Sequence, residues 1–104
     1  MSGNGIMECI ELITSELPAL RDKLNITQRD FAAVIGISRQ SIIDLEHQNR
    51  KITRSILISI VTFFSLKRET ALLLYKKKLY EMDYVISIGY TVDVIRKIHN
   101  IGGE

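Results

Sequence analysis

Apolar side chains along this chain recur mostly at intervals of three and four, the spacing that gathers them on one face of an α-helix. Ile6, Ile10, Ile13, Leu17, Leu20 and Leu24 share the first such face. Pro18 interrupts it: a proline lacks an amide proton and crowds the carbonyl four residues back, here that of Thr14, so a kink or a break is predicted near residues 15–17. In the case of a break, Pro18 would open the first helix at a position that tolerates proline. Shorter faces follow in Phe31, Val34 and Ile35, in Ile42 and Leu45, and in Ile56, Leu57, Ile60, Val61 and Phe64. From Glu69 the apolar positions Leu72, Tyr75, Leu79, Met82 and Ile86 stand 3, 4, 3 and 4 apart, with Leu73 and Leu74 adding apolar surface. That stripe predicts a helix of about 15 to 20 residues. Residues 84–88, YVISI, fit either a strand or a continuation of this helix ended by Gly89, and the helix is the preferred reading. Thr91 then caps a last helix from 92 to about 100 carrying Val94, Ile95 and Ile98. The pattern as a whole predicts an all-α chain of about five or six helices.

The local signals are densest at 27–48, TQRDFAAVIGISRQSIIDLEHQ. Thr27 is a good N-cap with Asp30 in the first turn, and Gly36 can take the left-handed conformation that a sharp turn requires. Ile37 then drops towards the core and Ser38 caps a second helix. Ala32 supplies the small side chain needed where two helices cross closely, since a bulkier one would cost roughly 1 to 3 kcal/mol. Two short helices joined by a tight turn make a helix-turn-helix.

This stretch resembles the Cro and C1-repressor-like (XRE) helix-turn-helix domains of phage and bacterial regulators. The likeness rests on Phe31, Ala32, Ile35, Gly36, Ile37, Ile42 and Leu45, and extends through LRDKLNITQ before the motif and LEHQNRKITRSILISIVTFFSL after it. It covers about residues 13–66. One departure is visible two residues after Glu46, where the family often has glycine and this chain has Gln48 followed by Asn49. The resemblance implies a lambda-repressor-like fold, to which the spacing after Glu69 adds a C-terminal helical extension, and a sequence-specific regulator that binds double-stranded DNA. It puts Arg39, Gln40 and Asp44 at base edges in the major groove, where arginine suits guanine, glutamine suits adenine and a carboxylate can accept from cytosine. It puts Gln28, Ser41, Arg50, Lys51 and Arg54 at backbone phosphates, with Gln28 also touching the first residue of the recognition helix. Arg21 and Glu46 match a partly buried ion pair of the family, against the plainer alternative of two solvated charges.

Charge adds a local bias rather than a global one. The net charge of +2 says little about a polyanionic partner, but residues 38–54 hold four cationic side chains (Arg39, Arg50, Lys51, Arg54) against Asp44 and Glu46. Glu8, Glu11 and Glu16, and separately Lys76, Lys77 and Lys78, read as solvated faces. His47 and His99 are far apart and read as surface or cap residues, Cys9 has no partner motif, and no glycine-rich phosphate loop is present. No metal, cofactor or enzymatic activity is therefore expected. A single cysteine fits a reducing cytoplasm, and with no apolar run near roughly 18 residues a cytoplasmic protein without membrane association is expected.

The chain divides on this reading into a DNA-binding domain at 6–66 and a C-terminal extension at 67–104. Since one recognition helix reads only a few base pairs, a homodimer on a palindromic operator is expected, acting as a repressor. Leu72, Tyr75, Leu79, Met82 and Ile86 are the candidate dimer interface, with Tyr80, Tyr84 and Tyr90 as possible anchors, unless the same stripe simply covers the core. The rival is a protein-interaction module, an antitoxin or an inhibitor, that grips a partner protein through residues 67–98.

Overall fold

A computed structural model describes residues 4–48, 51–82 and 84–85. They form α1 (Asn4–Lys23), α2 (Gln28–Ile35), α3 (Arg39–Glu46), α4 (Arg54–Ser65) and α5 (Arg68–Lys76), followed by a 3-10 turn at Leu79–Glu81. Among the described residues there is no strand, and no helix is long and apolar enough to cross a membrane. The fold is all-α.

The core is one continuous cluster. Cys9, Ile13, Leu17 and Leu20 enter from α1, Phe31 and Ala32 from α2, Ile42 and Leu45 from α3, and Leu57, Ile60, Val61 and Phe64 from α4. The rings of Phe31, Phe63 and Phe64 lie 5.1 to 5.5 Å apart, centroid to centroid, where the second and fourth helices meet. Val34, predicted to face inward, is instead 56% exposed, because Phe31, Ala32 and Ile35 already fill the stripe that α2 turns to its neighbours.

Of the kink or break expected near residues 15–17, the break is absent. Helix α1 runs unbroken through Pro18, although an interior proline costs about 3 kcal/mol. The opposing effect is larger. Ile13, Leu17 and Leu20 on either side of Pro18 are completely buried, and each buried side chain of this size contributes roughly 1.5 to 3 kcal/mol.

The longest predicted element is also corrected. Helix α5 stops at Lys76, Lys78 takes a left-handed conformation (φ 65°), and the chain turns into the 3-10 segment. The apolar stripe is thereby cut in two. Leu72 and Tyr75 stay about two-fifths exposed on α5, whereas Leu79 beyond the turn is wholly buried. Tyr80, expected as an interface anchor, is also core. Its hydroxyl and that of Ser65 lie 2.7 Å apart, and burial pushes its ionisation up to about 12. Met82 packs half-buried against the core, and Ile86, Tyr90, most of the 84–88 stretch and the helix predicted from 92 lie outside the described residues. Ala71, Leu74 and Val85 join the same core, so the described part of the extension packs on the preceding helices rather than standing apart. Lys77 reaches Glu16 of α1 at 3.4 Å across this seam, a partly exposed pair of little energetic weight.

The turn between α2 and α3 depends on one backbone state. Gly36 sits at φ 89° and its amide closes onto the carbonyl of Ala32 at 2.8 Å, joined by that of Ile37 at 3.1 Å. A side chain added at Gly36 would meet nothing within 4 Å, so the cost of substitution is conformational alone. Gly36→Ala is expected to lower stability by about 1 to 2 kcal/mol in urea unfolding, and Gly36→Asn by less, because asparagine tolerates the left-handed region better.

Candidate nucleic-acid interface

Ser38 starts α3. Its hydroxyl accepts the Ser41 amide at 3.0 Å and lies 2.9 Å from the Ser41 hydroxyl, which fixes the first turn of the helix. Ile42 and Leu45 are buried and anchor one side of α3 to the core. At helical spacing that leaves Arg39 and Gln40 exposed and Ser41 and Asp44 half-buried on the outward side. A helix held by its apolar stripe while its polar stripe stays accessible has the form required for lying in a groove.

Beneath this face runs a hydrogen-bonded chain of four side chains. Arg21 Nε donates to Glu46 at 2.6 Å and its Nη2 to the other carboxylate oxygen at 3.2 Å, with the two side chains only 14% and 6% exposed. Arg21 Nη1 donates to the Ile26 carbonyl at 3.1 Å. Gln28, the first residue of α2, donates its amide to Glu46 at 2.9 Å and accepts from Arg39 Nη2 at 3.5 Å. Because a carboxylate accepts and does not donate, the amide of Gln28 can face it only with its NH2, which turns its oxygen towards Arg39. The interior ion pair thus orients Gln28, and Gln28 orients the first residue of α3. Arg21 is neutralised by this pairing and is not part of the exposed cationic surface.

The other cations come from the segment leading into α4. Thr53 caps that helix, its hydroxyl accepting the Ile56 amide at 3.2 Å. Arg54 occupies the first helical position, where a positive charge opposes the helix dipole and so does not serve the helix itself. Its guanidinium carbon lies 5.9 Å from the centre of the Tyr84 ring, so a residue from the C-terminal part of the chain borders this surface. Lys51 is exposed at the edge of the loop, beside Ile52 and Ile37, and Arg50 lies outside the described residues. The loop turns at Gln48 itself, which adopts a left-handed conformation (φ 58°) at the place where the resembled family often carries glycine.

Two features escape spacing arguments about base contact. Asp44 accepts from Gln40 Nε2 at 2.9 Å, and the i, i+4 interval between them is the signal that could have found it. Tyr84, expected only as a dimer anchor, borders the cationic surface through Arg54. His47 closes α3, with Nδ1 2.8 Å from the Ile43 carbonyl. Cys9 is buried, which pushes its thiol up to about 11, and no three His, Cys, Asp or Glu side chains converge on a metal position among the described residues.

Compared with known families, residues 19–69 match the model described as helix-turn-helix, a span that runs from within α1 to the first turn of α5. Comparison with curated proteins and with solved structures gives no match.

Proposed function

The chain belongs, through residues 19–69, to the Cro and C1-like (XRE) helix-turn-helix family of DNA-binding regulators, and from that premise we propose that it is a repressor acting as a homodimer on a palindromic operator. The family is a regulatory one and not a family of enzymes. The observation that carries the proposal is the outward face of α3, where Arg39 leads an exposed polar stripe with Gln28 Oε1 3.5 Å from its guanidinium. Arg39 and Gln40 supply the base-edge contacts. Gln28, Ser41, Lys51 and Arg54, joined by Arg50 outside the described residues, supply phosphate contacts that set affinity and salt dependence. Occupying an operator that overlaps a promoter is sufficient for repression, whereas activation needs a further surface for polymerase, so repression is the simpler function. Access to DNA implies a cytoplasmic site of action.

The test is selection by the purified protein from a random duplex pool at two salt concentrations, with Arg39→Ala alongside. Enrichment of a two-fold symmetric site by the wild type alone supports the proposal. Weak retention without any preferred sequence would remove it.

Dimerisation follows from the size of one reading head, since two half-sites about one helical turn apart, roughly 34 Å, give the affinity that one cannot. Of the five interface positions, Leu72 and Tyr75 offer exposed area on α5, and Leu72 lines a groove with Lys23, Glu69, Leu73 and Lys76. Leu79 is closed inside the protomer and contributes none. Leu72→Asp combined with Tyr75→Asp is expected to shift sedimentation from dimer to monomer while helical content is kept, because neither side chain is core. A dimer that survives both changes would place the interface elsewhere.

The same exposed pair favours a second reading, an interaction module whose region 67–98 holds a partner protein, since Leu72 and Tyr75 lie outside the matched residues 19–69. A wild type that is monomeric and selects no DNA sequence would support it.

A further inference from the structure

Resting on the reading of α3 as the groove-facing helix, the Gln40–Asp44 hydrogen bond carries a consequence for how a base is chosen. Independent contacts by Gln40 and Asp44 require each side chain to reach the groove floor alone. Their 2.9 Å bond spans one helical turn on the face that would approach the duplex. A carboxylate only accepts, so Gln40 must present its NH2 to Asp44, and the opposite orientation of the amide, with its oxygen against a carboxylate oxygen, is repulsive. For Asp44 to read cytosine it would have to carry a negative charge among phosphates and reach the base through Oδ2, because Oδ1 is already taken by Gln40.

We propose that Asp44 contacts no base and is a positioning residue for Gln40, the two forming a single specificity-determining unit. One N–H of the Gln40 amide is given to Asp44. The second N–H and Oε1 remain along the other edge and match the N7 acceptor and N6 donor of an adenine. The unit therefore selects duplex DNA with adenine under Gln40. Fixing the amide in advance avoids the ordering cost that a free glutamine meets on binding, an effect of about three- to tenfold in discrimination.

The experiment compares the bases selected from a random duplex pool by the full chain and by Gln40→Ala, Asp44→Ala and Asp44→Asn, with helical content checked for each. Gln40→Ala is expected to flatten one position of the half-site. Asp44→Ala should lower adenine preference at that same position by about three- to tenfold and leave the other positions unchanged. Asp44→Asn keeps an acceptor oxygen for Gln40, so it should retain the preference while binding all duplexes more tightly, because a charge facing the phosphates is gone. A purely structural role for Asp44 would weaken every position together. Asp44→Ala acting on a different position from Gln40→Ala would overturn the proposal by making Asp44 a reader in its own right, and an unchanged profile would overturn it by making the bond inconsequential. A wild type that selects a site while either of these holds leaves the DNA-binding reading standing, whereas a wild type that selects nothing removes that reading and this inference with it.

Discussion

Glu46→Ala is expected to lower the unfolding free energy by about 3 kcal/mol or more, the largest effect of any polar substitution on this surface. Glu46 is 6% exposed and accepts from Arg21 Nε, Arg21 Nη2 and Gln28 Nε2. Removing it leaves a guanidinium that is 14% exposed and still donates to the Ile26 carbonyl, but without its carboxylate, so the loss is set by an uncompensated charge more than by the bond itself. The pair as a whole is a different quantity. Desolvating both charges offsets much of their attraction, so Arg21→Met with Glu46→Met should recover most of the stability lost by Glu46→Ala. Urea unfolding of the wild type and both variants separates the two effects. A loss below about 1 kcal/mol for Glu46→Ala would mean that the pair behaves as a solvated surface pair.

The same substitution has a second readout. Without Glu46 the Gln28 amide loses its carboxylate acceptor, and Arg39 loses the oriented oxygen that it donates to. The folded fraction of the double methionine variant should therefore bind DNA more weakly than the wild type even where stability has been restored. Stability and recognition part company at Gln28, which is why the double variant is more informative than either single one.

Signals that act over three or four residues were the legible ones. Thr27 and Ser38 each cap the helix they precede, and Gly36 makes the left-handed turn, because a cap or a turn is decided by the residue and its immediate neighbours. Effects decided by the rest of the molecule were less so. Pro18 is a strong local breaker, but its cost is outweighed by side chains that become buried only once the other helices are in place. The stripe from Leu72 keeps helical spacing across a reversal at Lys78, and spacing cannot register a change of direction. A lysine in the left-handed region gives little warning, although three successive lysines at the end of α5 suit the negative pole of a helix C-terminus. At the candidate interface, residue types named possible contacts one by one. The hydrogen bonds from Arg21 through Glu46 and Gln28 to Arg39, and from Gln40 to Asp44, make those contacts interdependent.

Arg39→Ala should then reduce discrimination at one base pair of each half-site by about 1 to 3 kcal/mol, roughly fivefold to 150-fold, by removing a bidentate donor to guanine O6 and N7. The hydrogen bond to Gln28 is long, 3.5 Å, so it biases the guanidinium without detaining it, and the side chain remains available to a base. Lys51→Ala should behave differently. Removing a charge that neutralises a phosphate weakens binding to all sequences alike and reduces the slope of log affinity against log salt by about one. Crossing the two substitutions with two salt concentrations gives a pattern that neither produces alone: Arg39→Ala changes which sites are enriched, and Lys51→Ala changes how steeply all of them fall away. Equal losses across sequences in both variants would show that the outward face of α3 supplies charge but no sequence choice, and the reading head would have to be sought elsewhere in the molecule.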